Sequence, residues 1–212
     1  MENRVMSNAN MNRIKAVIFD WGGVLIDDPV PGLMQYCADT LGAEKEKYTQ
    51  AHRKFADDFQ KGIISEDMFW TRVCGELGVP KPRGDSLWGR AFKTVYSPKK
   101  EMFSLARSLQ KNGYKTALLS NAEAPAMKLF YQQEYHMFSL TVFSCIEGAA
   151  KPERKIYELT LKRLQAGASE SVLIDDRQSN IDGAKQVGLN TILFESIGQT
   201  EGELHQLGVK IT

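Results

Sequence analysis

The chain is predicted to be an α/β protein built on a parallel, doubly wound sheet, and three observations carry that expectation. Short apolar runs of strand length recur along it, helix-period segments alternate with them, and one long stretch after the first run has helical periodicity alone. The runs are Lys15 to Phe19 (KAVIF), Lys115 to Leu119 (KTALL), Leu140 to Ser144 (LTVFS), Ser171 to Ile174 (SVLI) and Asn190 to Phe194 (NTILF). They are apolar without alternation, as strands covered on both faces must be.

Each of the last four runs follows helix-like sequence. PKKEMFSLARSLQKNG opens on Pro98, stops at Gly113 and sets Met102, Leu105, Ala106 and Leu109 on one face. KPERKIYELTLKRLQAG has Pro152 early and Gly167 late, and NIDGAKQVG is a short helix closed by Gly188. Between the first two strands lie roughly seventy residues with no strand pattern, far longer than an ordinary connection. Their apolar positions fall in four groups: Leu33, Met34, Tyr36 and Cys37; Phe55 and Phe59; Met68, Phe69, Trp70 and Val73; Leu87, Trp88 and Phe92. The expected organisation is therefore a polar leader over residues 1–14, a core from residues 15–27 and 98–212, and a small four-helix domain over residues 28–97.

Composition narrows the function classes. Of 212 residues, 42% are hydrophobic and 25% charged, enough for one full core plus an insertion. Lysine and arginine total 27 against 26 acidic residues, a net charge of +1, with no run of one sign, so neither nucleic-acid nor membrane binding is expected. Cys37, Cys74 and Cys145 are odd in number, far apart and free of any CxxC spacing, which points to reduced thiols in a cytoplasmic protein. No signal peptide or membrane-length apolar run is visible, and a monomer or dimer is expected.

In an open parallel sheet, ligands sit beyond the carboxyl ends of the strands. There the sequence places Asp20 in DWGGVL, Ser120 and Asn121, Lys151 in GAAKPERKIY, and Asp175 with Asp176 in DDRQSN. Singly, each has a plain reading as a cap, a turn or a solvated charge. Jointly they make chemical sense, because clustered carboxylates repel one another unless a hard cation such as magnesium joins them, while a lysine, a hydroxyl and backbone amides hold phosphoryl oxygens. Gly22 and Gly23 are read as allowing a tight turn and close approach of a ligand. His52, His136 and His205 do not cluster with these motifs and are read as core or surface residues, His52 being the one best placed to reach a substrate.

The segments FDWGGVL, LLSNA, GAAKPERKIY and LIDDRQSNIDGA resemble, in order and spacing, the four motifs of the haloacid-dehalogenase-like hydrolases, over the stretch from Lys15 to Phe194. The resemblance implies a Rossmann-like core of strand order 5-4-1-2-3 with a helical C1 cap, as in subfamily IA, inserted after the first motif. It further implies Asp20 as nucleophile, and Ser120, Asn121 and Lys151 with the Gly22 and Gly23 backbone around the phosphoryl group. Magnesium would be ligated by Asp20, the Gly22 carbonyl and Asp176, with Asp175 acting through water or behind the ligands and Asn180 bracing the loop. The first motif and the stretch FQKGIISEDMFW also resemble bacterial phosphatases acting on sugar 1-phosphates, so the expected substrate is a small phosphomonoester.

One position departs from that pattern. Most family phosphatases carry an aspartate two residues after the nucleophile that protonates the leaving oxygen, and here that position is Gly22. Losing such an acid costs roughly 10²- to 10⁴-fold, or about 3 to 5 kcal/mol of barrier. The departure leaves three readings: a phosphatase that favours stable leaving groups or finds its acid elsewhere, a 2-haloacid dehalogenase, and a weakened phosphoester-binding module. The two adjacent aspartates count against the second, since a metal-free dehalogenase has no use for carboxylates that repel both Asp20 and a carboxylate substrate.

Overall fold

The computed structural model describes residues 14–211, so the expected leader falls outside the described residues except for Ile14, which is buried in the core. Five parallel strands form one sheet in the order β3-β2-β1-β4-β5, the predicted order read from the other edge. They are β1 (Ala16–Phe19), β2 (Lys115–Ser120), β3 (Leu140–Phe143), β4 (Ser171–Asp175) and β5 (Asn190–Leu193). Leu140–Ser144 was expected to be wholly strand, but Ser144 instead opens a single helical turn, Ser144–Glu147.

Five helices lie between β1 and β2, and the first four are α1 (Val30–Leu41), α2 (Lys45–Gln60), α3 (Glu66–Leu77) and α4 (Leu87–Val95). Ser65 and Ser86 cap α3 and α4 by accepting from Met68 N and Gly89 N, and Gly42 and Gly78 end α1 and α3 in the left-handed conformation. The remaining helices are α5 (Lys100–Lys111), α6 (Ala124–Gln132), α7 (Ser144–Glu147), α8 (Arg154–Leu164), α9 (Gln178–Gln186) and α10 (Ile197–Gln206), with a 3-10 turn at Ala168–Glu170. Pro98 and Pro152 lie outside the helices they were expected to open, since α5 starts at Lys100 and α8 at Arg154.

The alternation of side chains along each strand divides the core in two. Val17, Phe19, Leu118, Val172 and Ile174 face α5, α6 and α10 and merge with the aromatic interior of α1 to α4. Ala16, Ile18, Ala117, Leu119 and Leu173 face Ile156, Tyr157, Leu161 and Leu164 of α8 and Ala184 of α9. Burial at about 25 cal/mol per Å² makes such two-sided covering the main source of stability. Of the expected helix-face positions, Met68 points to solvent, 44% exposed. Cys37 and Cys74 are buried, Cys145 is half-buried, and none forms a disulfide. Among the described residues no helix is long and apolar enough to cross a membrane.

The inserted helices are tied to the sheet edge by polar contacts. Ser144 donates its hydroxyl to Gln60 O (2.6 Å) and accepts from Ala122 N (3.0 Å), Gln60 Nε2 donates to Asn121 O (3.3 Å), and Lys61 is paired with Glu153. The C-terminal end of α2 is thereby fixed over the ends of β2 and β3.

Candidate active site

The strands end level with one another, Phe19 against Leu118 and Ile174, and Ser120 against Phe143. The residues that follow therefore meet at one edge. Asp20, Ser120, Lys151 and Asp175 are all buried there. Lys151 Nζ lies 2.8 Å from Asp20 Oδ1 and 2.6 Å from Asp175 Oδ2, so one ammonium joins the first and last motifs. Trp21 N donates to Asp20 Oδ1 (2.7 Å). Asn180 Nδ2 donates to both oxygens of Asp175 (2.9 and 3.1 Å), and Arg177 N donates to Oδ1 (2.9 Å), so Asp175 is saturated with donors.

Asn121 takes a position that its sequence did not disclose. Its Nδ2 donates to Lys151 O (2.8 Å) and its Oδ1 accepts from Lys151 N (2.9 Å), so both ends of the amide hold the lysine main chain. In this geometry the Asn121 side chain braces the main chain of Lys151. A second brace comes from α9. A Cβ on Gly183 would lie 2.6 Å from Pro152 O and 2.8 Å from Pro152 Cβ, so only glycine lets α9 pack this closely on the loop that carries Lys151.

The two glycines after Asp20 also differ. Gly23 has φ +82°, and a Cβ there would sit 2.2 Å from Asp176 Oδ2. Gly22 lies outside the positive-φ region and would place a Cβ 3.2 Å from Pro29 Cδ, so the turn itself depends on Gly23. Lys99 Nζ donates to Gly23 O (2.6 Å), a contact with no motif to announce it.

Charge is unevenly compensated. Burial is the largest influence on Asp20 and raises its pKa above the usual carboxylate range, against the opposing pull of Lys151. On Lys151 burial alone would favour loss of the proton, but Asp20 and Asp175 together outweigh it and keep the ammonium charged. Asp176 is raised by burial and then by Asp175, and its Oδ1 is buried with no hydrogen-bond partner among the described residues. One carboxylate oxygen each from Asp20, Asp175 and Asp176 lie within 4.8 Å of one another.

Above this edge is a cavity of about 290 Å³ whose walls come from both the sheet and the insert. Asp20, Ser120, Asn121 and Lys151 form its floor, Trp21, Leu33, Met34, Trp88 and Phe92 its apolar wall, and His52, Gln60 and Glu123 a polar corner. Trp21 packs on Phe92 and Phe130 with ring centroids 5.0 and 5.2 Å away. His52 lies in α2, stacks on Trp88 at 5.4 Å and is pushed by burial down to a pKa of about 4, and its Nε2 has no hydrogen-bond partner among the described residues. His136 and His205 are exposed and do not line the cavity. The sequence reading overlooked Glu123, whose only signal was an acidic residue at a helix start where serine or aspartate is usual.

Residues 14–188 match a family model, haloacid dehalogenase-like hydrolase, and the chain therefore belongs to that family of hydrolases. Over 198 residues it is 28% identical to the sesquiterpene phosphatase of Aspergillus oryzae, covering 91% of this chain and 96% of that protein. It is 31% identical over 211 residues to the acyl-CoA dehydrogenase family member 10 of Mus musculus but spans only 19% of it. Among solved structures, a haloacid-dehalogenase family enzyme of Bacteroides thetaiotaomicron in complex with magnesium and inorganic phosphate superposes with TM-score 0.70 at 22% identity, covering 87% of this chain and 96% of that one. The L-2-haloacid dehalogenase of Xanthobacter autotrophicus shares the fold at TM-score 0.59 and 20% identity, over 91% of this chain and 83% of that one. The fold alone thus leaves the reaction to the site.

Proposed function

We propose that the protein is a magnesium-dependent phosphomonoester hydrolase whose nucleophile, Asp20, is transiently phosphorylated. The observation that carries this reading is the unbalanced carboxylate cluster: Asp20 and Asp175 share one buried lysine, Asp176 stands beside them, and its Oδ1 is buried without a hydrogen-bond partner among the described residues. Such a set fits a divalent, oxygen-seeking cation, which would restore neutrality and satisfy the stranded oxygen. Asp20, Asp176 and the Gly22 carbonyl would hold it, with Asp175 set behind them by Lys151 and Asn180. Magnesium bound there would screen the carboxylates and polarise the phosphoryl oxygens. A metal-free dehalogenase would gain nothing from Asp176.

This chain's own residues then divide the work. Lys151 and the Trp21 N–H both engage Asp20 Oδ1, which favours the ionised carboxylate against the effect of burial and leaves Oδ2 to attack phosphorus. Ser120 and Lys151 hold the phosphoryl oxygens as negative charge redistributes. Residues 28–97 act as a helical cap that closes the cavity over the leaving group and excludes water. The mixed wall of Trp21, Trp88 and Phe92 with His52 and Gln60 suits a leaving group that has both apolar faces and hydroxyls, as a sugar phosphate does. Similarity to a phosphatase along nearly the whole chain supports the same reaction class.

The test is phosphate release from a panel of sugar 1-phosphates, aryl phosphates and a sesquiterpenyl phosphate, with magnesium and again in EDTA. Turnover should require the metal, and Asp20→Asn, nearly isosteric but not nucleophilic, should retain under a hundredth of it with an unchanged circular dichroism spectrum. Metal-independent halide release from 2-haloacids, or an active Asp20→Asn protein, would overturn the proposal.

A further inference from the structure

The position that usually carries the acid for the leaving oxygen is glycine, yet the cavity is not without a carboxyl group. Glu123 stands at the N-cap of α6, three residues beyond Ser120, and makes no side-chain bond to its own helix. Its side chain is 7% exposed and belongs to the lining of the cavity that holds Asp20 and Ser120. The insert holds it in place: Trp88 Nε1 donates to Oε2 (2.9 Å), with Gln60 a further hydrogen-bond partner. It forms no salt bridge among the described residues.

We infer that Glu123 is the proton donor and acceptor of this hydrolase, delivering from the carboxyl end of β2 what the residue at position 22 does not supply. The inference rests on the phosphatase reading above. In the first step Asp20 Oδ2 forms a bond to phosphorus, the bond from phosphorus to the leaving oxygen breaks, and the Glu123 carboxyl proton passes to that oxygen, so the product departs as a neutral alcohol. In the second, water attacks the aspartyl phosphate, its proton returns to the Glu123 carboxylate, and phosphate leaves with Asp20 regenerated. Each cycle restores both side chains.

The surroundings suit a group that must hold a proton near neutrality. Burial pushes Glu123 up to about 7, opposed only by hydrogen bonds from its own main chain, Trp88 and Gln60. Around it, burial raises Tyr48 of α2 and Cys145 of α7, the latter to about 11, and lowers His52 on the same cavity to about 4, while the cations lining that cavity are Lys151, paired with Asp20 and Asp175, and Arg177. The N-terminus of α6 favours the carboxylate modestly, a pull that burial exceeds.

The experiment compares wild type with Glu123→Gln, which keeps an acceptor for Trp88, using kcat/KM because it reports steps up to cleavage of the leaving bond. Wild type should show little dependence on leaving-group pKa across a series of alkyl and aryl phosphates, and its rate on alkyl phosphates should fall above about pH 7. Glu123→Gln should lose roughly 10²-fold or more on alkyl phosphates. On p-nitrophenyl phosphate, whose leaving group is a stable anion, the loss should be under about 10-fold, so the dependence steepens. Equal losses on both substrates, or a steep dependence already in wild type, would overturn the donor role while leaving the phosphatase intact. The wild-type series needs no variant, so the test stands even if Glu123→Gln folds poorly. A wild type inactive on every phosphomonoester would instead remove the phosphatase reading, and this inference with it.

Discussion

Replacing Gly23 with alanine perturbs the ion site without replacing any carboxylate residue. The added Cβ would lie 2.2 Å from Asp176 Oδ2, 2.4 Å from Cγ and 2.9 Å from Oδ1, inside the 3.0 Å that real Cβ contacts respect, so the carboxylate must retreat by about 0.8 Å. Because φ is +82°, the alanine also costs about 1 to 2 kcal/mol of backbone strain. A ligand displaced by a fraction of an ångström, or a lost supporting contact, typically lowers metal affinity or activity by roughly 10- to 100-fold. Gly23→Ala should therefore raise the magnesium concentration for half-maximal phosphate release by roughly that factor, and approach Asp176→Ala in this respect. Gly75→Ala in α3 is the control, since its Cβ meets nothing within 4 Å and its φ is not left-handed. Magnesium titrations of the three variants against wild type, with melting curves in EDTA to isolate the strain, measure both effects. A Gly23→Ala protein with the magnesium requirement of Gly75→Ala would refute the placement of the ion at Asp176.

Two other perturbations follow from the same geometry. Lys151→Ala strands Asp20 and Asp175 as buried carboxylates without their cation, so urea unfolding in the absence of magnesium should show a loss of roughly 3 to 5 kcal/mol alongside the loss of rate; a loss below 1 kcal/mol would show that the pair is not buried in solution. Glu123 has a raised folded pKa, so its contribution to stability is complete below its unfolded value near 4.5 and is lost as pH rises through about 7. Glu123→Gln does not titrate, and it should gain about 3 kcal/mol on wild type between pH 4.5 and pH 8 in chemical denaturation, whereas a pH-independent difference would contradict the burial of that carboxyl.

The strands and the residues at their ends were legible because each depends on local pattern: apolar runs without alternation, and polar residues directly beyond them; the strand order came only with the resemblance to the family. Where the chain would bend was less legible. Ser144 ends β3 early because its hydroxyl serves both Gln60 and Ala122, contacts that bridge residues distant in sequence. The resemblance placed Asn121 at the phosphoryl group, but that its side chain also holds the Lys151 main chain was not legible, because only the packed sheet brings that partner near. Glu123 was invisible for the same reason. Its meaning comes from burial under Trp88, and burial at one position is a property of the whole packed molecule.

The level ends of the parallel strands have a consequence for how activity is acquired. Asp20, Ser120, Lys151 and Asp176 belong to segments far apart along the chain and become neighbours only when β1 is enclosed by β2 and β4. A slip of one residue in either pairing would turn Asp20 toward the opposite side of the sheet. No fragment and no partly assembled intermediate can hold the full set, and such long-range pairings form late and slowly. Turnover is thus a stringent report on the completed topology: in a refolding experiment, enzymatic activity should return with the last strand to join, behind the helical signal.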